Sequence, residues 1–433
     1  MDNLELPFAF SEAILRPTPM PTEVAPISEL QAIIHYLRCS RFAESSVEFE
    51  RGIVHPDGRL DLCKQGVACH LPAITAVLTK NTTIHHLLIG NDIVGQSGAV
   101  AISQLLAVKS LKTLYLAGNC LGSESIQILC DGLINSDGAV EQLWLKRNPI
   151  HTEGAAHLGA MLSLPAGACL QVLDLDNTGL FDDGIAILMS SLRNNSTLQT
   201  LYVSANGITH IGAAHIARYF EAHTRDGITS LYLSMNPIGP AGAETLAESL
   251  KGNLSLCRLV LDSDRIHSRG ARALFTALEH HPTIEFLSLG KAKSTSDLQE
   301  QPNNISNEAM TSIANFILKA EQLKVLNLGT NDFTESACLF ILAACLKSKS
   351  LVSLTLGIVG MPVAGRMNMM VRDHMKWNMN ALQSNSGQSA ETILRCIKSG
   401  ESVVNIASVY RNRLFREKYR NMRASRRAQE TML

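Results

Sequence analysis

The sequence predicts an α/β solenoid in which about ten copies of a strand–turn–helix unit stack side by side. Within LYLSMNPIGPAGAETLAESL, residues 231–250, apolar residues recur first every two positions, as on one face of a strand. They then recur every three to four positions, as on one face of a helix, after a turn at Asn236 and Pro237. One strand and one helix of this size cannot bury their own apolar faces, so the unit needs copies of itself.

Copies of this unit recur in register along most of the chain. Members that place an asparagine at the turn are centred on Asn119, Asn148, Asn206, Asn236 and Asn331. Weaker members keep the leucines and place another residue at the turn: Asp92, Thr178, Asp264 or Val359. One further copy begins at IEFLSLG and resumes its register at Asn303, with an insertion of roughly 11 residues. The inserted segment, Lys291–Asn303, is predicted to be either a functional loop or a solvated excursion.

This pattern resembles the leucine-rich repeat in its long, ribonuclease-inhibitor-like form, LxxLxLxxNxIxxxGAxxLAxxL, from about Ile84 to Gly365. The resemblance implies a curved horseshoe with parallel strands on the concave face and helices on the convex face. The residues support this fold, because the strand and helix leucines can share a core that only stacked neighbours close. An asparagine side chain both donates and accepts hydrogen bonds, so a column of them can satisfy backbone groups in the turns.

The chain divides into four regions by composition. Residues 1–45 are predicted to form a proline-rich extended arm followed by a helix. Residues 46–83 alternate apolar and polar side chains around a Pro-Asp-Gly turn, which predicts a hairpin and helix that cap the first repeat. Residues 84–380 form the solenoid with a methionine-rich C-terminal cap, and residues 381–433 form a basic helical tail.

The composition favours a cytoplasmic, non-catalytic protein. The N-terminus has no basic region followed by an apolar run, and no apolar segment approaches the roughly 18 residues of a membrane span. The ten cysteines contain no CxxC pair, which favours reduced thiols. The sequence has no GxxxxGK[ST], GxSxG or HExxH motif and no histidine set at metal-ligand spacing. We therefore predict no enzyme activity, no cofactor, no metal and no small-molecule substrate.

The candidate binding residues lie between the last two leucines of each strand, which in this repeat type face outward on the concave surface. Tyrosine and tryptophan recur at this position although the chain is only 5% aromatic, and such rings are common anchors of protein–protein contacts. The alternative is that neighbouring rings only stabilise the sheet. Charged residues occupy the same or adjacent positions. Together the aromatic and charged residues form the predicted protein-binding surface: Tyr115, Trp144, Arg147, Asp174, Asp176, Tyr202, Tyr232 and Asp262.

Two further functions remain open from the sequence. Between Arg411 and Arg427 the tail holds eight Lys or Arg and one Glu, so it is predicted to bind a calmodulin-like protein, an anionic membrane or nucleic acid, or to pack locally. The Ran GTPase-activating proteins share the repeat architecture and give the alternative function. In that case Arg147, in KRNPI, would stabilise charge on a transferring phosphoryl group.

Overall fold

The structure is a computed structural model, and the residues described here all belong to the first of its two compact units, residues 1–400. The second unit, residues 401–433, lies outside the described residues, and so does the predicted basic segment between Arg411 and Arg427. The structure describes residues 11–17, 23–108, 111–136, 140–164, 169–292, 298, 301–357 and 362–399.

Thirteen strands form one sheet in the order of the sequence. The first three pair antiparallel, and every later strand pairs parallel to the one before it. The strands are β1 Val47–Glu48, β2 Ile53–Val54, β3 Arg59–Asp61, β4 His86–Leu88, β5 Thr113–Tyr115, β6 Gln142–Trp144, β7 Val172–Asp174, β8 Thr200–Tyr202, β9 Ser230–Tyr232, β10 Arg258–Val260, β11 Phe286–Ser288, β12 Val325–Asn327 and β13 Ser353–Thr355.

A helix follows each of the parallel strands from β4 onward, and consecutive helices pack against one another. The predicted strand–turn–helix solenoid is confirmed. None of the helices in the described ranges is long and apolar enough to cross a membrane. The helices are α1 Glu12–Leu15, α2 Ile27–Arg38, α3 Leu71–Leu78, α4 Gly95–Leu106, α5 Ser123–Ile134, α6 His151–Leu162, α7 Phe181–Ser191, α8 His210–Ala222, α9 Gly239–Leu250, α10 His267–Leu278, α11 Met310–Lys319, α12 Glu335–Cys345, α13 Pro362–Ser386 and α14 Ala390–Ser399.

The two ends of the solenoid carry additional elements. The turn at Pro56-Asp57-Gly58 joins β2 to β3, and β3 then pairs parallel with β4, so the hairpin extends the sheet at its N-terminal edge. Helices α2 and α3 stack in turn before α4. At the other end, α13 packs against α12 and continues beyond residue 380, so one helix spans the end of the cap and the start of the predicted tail.

One continuous apolar core, the main core, runs between the sheet and the helices. The repeat at residues 231–250 shows how this core is built: Leu231 in β9 and Ala243, Leu246 and Leu250 in α9 are all fully or almost fully buried in it. Because alternate strand residues point to opposite faces, the residues on either side of each central leucine point away from the helices. We call that side of the sheet the sheet face.

The asparagines form a hydrogen-bonded ladder between successive turns. Asn148 Oδ1 accepts the backbone N–H of Asn119 at 2.8 Å and of Leu121 at 3.1 Å. Its amide nitrogen donates to the carbonyl oxygens of Leu145 at 2.7 Å and Leu116 at 3.0 Å. Asn148 therefore joins its own strand to the turn of the preceding repeat, and Asn236 does the same for the turn at Asn206.

Where another residue replaces asparagine at the ladder position, its side chain forms different hydrogen bonds. Thr178 Oγ1 donates to the Leu175 carbonyl at 2.8 Å. Asp264 is fully buried, and its Oδ1 accepts the Asn236 N–H at 2.9 Å, but Oδ2 has no hydrogen-bond partner within the described ranges. Burial raises the pKa of Asp264 well above its usual value, so the folded state favours the neutral acid.

Replacing Asp264 with asparagine should stabilise the protein at neutral pH. The folded-state pKa of Asp264 is raised, so its contribution to stability is present below the unfolded pKa near ~3.9 and is lost as pH rises towards the folded value. Asp264→Asn removes this titration and supplies a donor such as Asn236 has, so the free energy of unfolding at pH 7.5 should rise by about 1 kcal/mol or more. Urea unfolding at pH 7.5 and pH 4 measures the difference, which should shrink at the lower pH.

Asp332→Asn, at an exposed position of another repeat, is the matched control and should leave the pH dependence unchanged. A variant Asp264→Asn with the pH dependence of the parent chain would contradict the interpretation.

Candidate protein-binding surface

The parallel register brings four predicted aromatic residues into one row on the sheet face. Tyr115 is paired with Trp144, Trp144 with Asp174, Asp174 with Tyr202, and Tyr202 with Tyr232. We call Tyr115, Trp144, Tyr202 and Tyr232 the aromatic column. Each of the four is the last residue of its strand, as the spacing of the strand leucines predicts.

The rings of the aromatic column are in contact along its length. The centroids of Tyr115 and Trp144 are 6.2 Å apart, and those of Trp144 and Tyr202 are 5.5 Å apart, so these two rings meet across Asp174. Tyr202 and Tyr232 stack with centroids 4.1 Å apart and an interplanar angle of 16°. Offset contacts of this kind contribute about 0.5–1.5 kcal/mol per pair beyond the area that they bury.

Two residues that sequence reasoning missed extend the column. The Arg258 guanidinium lies 6.0 Å from the ring centroid of Tyr232 and 4.5 Å from that of Phe286. Both are the first residues of their strands, in LCRLVL and IEFLSL. The first and third residues of a short strand point to the same face, so the period-two pattern contained the signal.

The expectation that this column faces solvent was wrong for half of it. Tyr115 is 2% exposed and Trp144 is 5% exposed, whereas Tyr202 and Tyr232 are half-buried. Mutual contact is one cause of this burial. A second is close packing on the backbone, since a Cβ atom at Gly90 would lie only 2.7 Å from the Tyr115 ring.

Strand β6 presents two buried polar atoms without a partner. The Trp144 indole Nε1 and the Gln142 side-chain Oε1 have no hydrogen-bond partner among the residues that the structure describes. The two side chains belong to one strand and are two positions apart, so both point to the sheet face. An indole N–H can only donate, and an amide oxygen can only accept. A buried donor and a buried acceptor therefore lie on the same face of one strand.

The predicted acidic residues are bound to groups of the chain itself. Asp174 Oδ1 accepts the Asp176 N–H at 2.9 Å. Asp176 accepts the Ser204 N–H at 2.7 Å and forms an ion pair with Lys146 at 3.4 Å. Asp262 accepts the Gly290 N–H at 2.7 Å and also the Ser288 hydroxyl.

Burial changes what the acidic residues can offer to a partner. Desolvation, with the like charge of Asp176 acting in the same direction, raises the pKa of Asp174 to about 8. Burial also raises the pKa of Asp262. At neutral pH the folded state therefore favours the neutral acid of Asp174, against the expectation that this residue adds a charge. The ion pair with Lys146 belongs to Asp176.

Arg147 lies in the turn after β6, away from the row of rings. Its backbone is left-handed with φ of 58°, and its N–H donates to the Asp176 carbonyl at 2.9 Å. Its side chain is half-buried. Burial and, in the same direction, the positive charge of Arg147 lower the pKa of Lys64. Arg147 is thus part of a basic group at the ends of the strands.

Both ends of the described chain contact the sheet face or its turns. The Asn177 side chain, in the turn after β7, donates to the Ala13 carbonyl in α1 at 2.9 Å. At the other end, Arg258 donates to the carbonyl oxygen of Ile397 in α14. Apolar residues of α13 and α14 pack there on the last strands of the sheet, and we call this group the C-terminal cluster: Phe286, Val325, Val352, Met379, Leu382, Ala390, Ile393, Leu394 and Ile397.

The insertion in the interrupted repeat is described only at its ends. The Ala292 N–H donates to Ser263 Oγ at 3.0 Å. Asn303 fills the ladder position, where Oδ1 accepts the Asp264 N–H at 2.8 Å. Residues 293–297, 299 and 300 lie outside the described ranges, so either role predicted for this loop stays a prediction.

Comparison with known proteins supports the interpretation of the repeats. Residues 228–247 match a family model described as Leucine Rich repeat. The chain is 28% identical to pig (Sus scrofa) ribonuclease inhibitor over 257 residues, which are 59% of this chain and 53% of that protein. It is 25% identical to the NACHT, LRR and PYD domains-containing protein 3 of Macaca mulatta over 292 residues, 66% of this chain and 27% of the relative.

One solved structure shares a weaker likeness. A chain in the crystal structure of the yeast Rad7 and Elc1 complex is 14% identical, with a TM-score of 0.46 over 68% of this chain and 69% of that one. The chain spans about a quarter to a half of the length of the two relatives described above.

The repeats, their ladder and these matches define the class: the chain is a leucine-rich repeat protein. Its repeats are of the ribonuclease-inhibitor-like type, with a strand and a full α-helix in each unit.

Ionisation of Asp174 should be visible in the emission of Trp144, its neighbour across the strand pair. The chain has two tryptophans, so Trp377→Phe leaves Trp144 as the reporter. We expect its emission to change with a midpoint near pH 8, because that is where the buried carboxyl group loses its proton. Fluorescence titration from pH 5 to 10 is the measurement, those limits being set roughly two units or more either side of the midpoint.

Two variants separate Asp174 from other titrating groups. Asp174→Asn should remove the transition, and Asp176→Asn should move it to lower pH because a like charge is lost. A transition near the pKa of an ordinary aspartate, or one that persists in Asp174→Asn, would show that this carboxyl group is not the source.

Proposed function

We propose that this chain is a non-enzymatic scaffold that binds a partner protein on the sheet face, along the aromatic column. The observation that carries the proposal is a donor and an acceptor of β6, the Trp144 indole N–H and the Gln142 amide oxygen. Both are buried beside aromatic rings and have no partner in the part of the chain that the structure describes. A partner segment that offers one acceptor and one donor would satisfy both. Peptide groups carry both functions, which makes a protein the natural ligand.

A buried polar group without a hydrogen-bond partner lowers the stability of the fold. A buried donor or acceptor that stays unpaired destabilises a protein by about 1–3 kcal/mol. A phenylalanine at residue 144 would keep the ring contacts without this cost. The indole is therefore explained by a bound state in which its N–H is used. Tyr202 and Tyr232, the half-buried part of the column, supply the adjoining apolar contact area.

The relatives support the class of ligand and nothing narrower. The pig relative is named an inhibitor of a ribonuclease, so in that protein repeats of this type act on another protein. We carry over only that the ligand is a protein. Asp176 and Lys146 form an ion pair at the edge of the column, so a partner with either charge would find a counterpart there.

The Ran-type alternative gains no support from Arg147. An arginine that stabilises a transferring phosphoryl group must extend towards it. Here the side chain is half-buried near another cation, Lys64, at the ends of the strands. The binding of a calmodulin-like protein, an anionic membrane or nucleic acid was predicted for the basic segment between Arg411 and Arg427, which lies outside the described residues. A cytoplasmic location also stays a prediction.

Capture of partners from a lysate tests the proposal. The full chain serves as bait beside Tyr202→Ala/Tyr232→Ala and beside Trp144→Phe, and retained proteins are identified by mass spectrometry. The double variant should lose affinity for the specific partner by about 2 kcal/mol or more per anchor, because both rings would be hot spots. Trp144→Phe should weaken capture as well, since it deletes only the N–H and part of the ring.

The control is Thr355→Ala, an exposed residue at the far end of the same face. Thermal unfolding of each variant shows whether the fold is intact. A partner retained equally by the folded column variants and by the parent chain would place the binding surface elsewhere.

A further inference from the structure

Helix α14 covers the sheet face over the last strands. Ile393 and Ile397, four residues apart on one side of the helix, are buried against Val325 of β12. Phe286 of β11 and Val352, just before β13, complete the contact. These residues form the C-terminal cluster, which is separate from the main core. The repeats therefore close their own core without α14.

Arg258 binds the C-terminal end of this helix. Its Nη2 donates to the carbonyl oxygen of Ile397. This carbonyl is among the last four of α14, which have no partner inside a helix and carry the negative end of the helix dipole. The same guanidinium stacks on Phe286 and lies near Tyr232, the last ring of the aromatic column. The seat of α14 is thus continuous with the surface proposed to bind a partner.

The connection between α13 and α14 allows α14 to separate as a unit. Gly387 has φ of 68°, and a Cβ atom added there would meet nothing within 4 Å. The N–H of Gly387 donates to the Gln383 carbonyl at 2.9 Å, which ends α13. Ser389 Oγ accepts the Thr392 N–H at 3.2 Å and so caps the start of α14. Residues 387–389 form this hinge and are exposed, so its movement would displace no packed side chain.

We infer that the sheet face over β10 to β13 is a docking groove for an amphipathic helix of a partner protein, and that α14 occupies it in the free chain. The partner helix would carry two branched aliphatic residues four positions apart and would end at Arg258. This inference rests on the proposed function, because the partner takes the same face of the sheet. A tethered competitor lowers the apparent affinity of the partner by the fraction of chains in which the groove is open.

A peptide with the sequence of residues 388–400, labelled with fluorescein and with serine in place of Cys396, is the probe. Fluorescence anisotropy measures its binding to three full-length chains. The release variant is Ile393→Asp/Ile397→Asp, which should free the groove. The matched control is Glu391→Gln/Cys396→Ser, at exposed positions of the same helix. We expect the release variant to bind the peptide at least tenfold more tightly than the parent chain and the control.

Two further variants tie this binding to the groove. A peptide with both aspartate substitutions should not bind, and Arg258→Gln in the release variant should weaken binding several-fold, because the helix end loses its donor. Equal affinity for the release variant and the parent chain would overturn the inference, and so would the absence of binding to a release variant that unfolds at the parent temperature.

The same chains separate the groove from the aromatic column and from self-association. The release variant could bind the peptide while the aromatic-column variants still capture the partner as the parent chain does. That result would support the groove and contradict the proposed function. The other possible occupant of the groove is α14 of a second copy of the chain. Light scattering on the parent chain tests for the dimer that this would form. A parent dimer that becomes monomeric in the release variant would assign the groove to α14 of a second copy and overturn the partner helix.

Discussion

The buried side chain at each turn is the constraint on which the rest of the structure depends. Where the chain leaves the sheet, its N–H groups point inward, and the acceptor for them comes from the next repeat, as Asn148 shows for Asn119 and Leu121. A repeat that shifted by one residue would lose these bonds and expose its leucines. The ladder therefore fixes the register, and the register decides which side chains become neighbours on the sheet face.

The aromatic column follows from that register and serves two ends at once. Ring contacts between neighbouring strands stabilise the sheet, and this explains why Tyr115 can be almost fully buried. The same explanation does not extend to Trp144. Its buried N–H has no partner within the described ranges, and stacking does not require that cost. Ring contacts account for the burial of Tyr115, and the proposed function rests on the rest of the column, from Trp144 to the half-buried Tyr202 and Tyr232.

Local and repeated features of the fold could be predicted from the sequence. Contacts between residues far apart in the chain could not. The strands, the ladder and the rows on the sheet face follow from periods within about 30 residues, the spacing of the ladder bonds between Asn206 and Asn236. The cover of the sheet face depends on contacts far longer than any repeat, 139 residues between Arg258 and Ile397 and 164 between Ala13 and Asn177. No sequence period predicts such a contact, so the role of Arg258 was missed. Exposure was overestimated for another reason, because neighbouring rings such as Tyr115 and Trp144 bury one another.

The two C-terminal helices differ in a way that separates structure from regulation. Helix α13 contributes Val371 and Met375 to the main core, so removing it would open the last repeat to water. Among its described side chains, helix α14 contributes a short apolar face to the C-terminal cluster, and Arg258 donates to its Ile397 carbonyl. A helix that only closed the solenoid would not need its own N-cap at Ser389 or a hinge at Gly387. A tethered contact outside the main core is instead what exchange with a competing helix requires, because a ligand shifts such an equilibrium only by the difference in its affinity for the open and closed states.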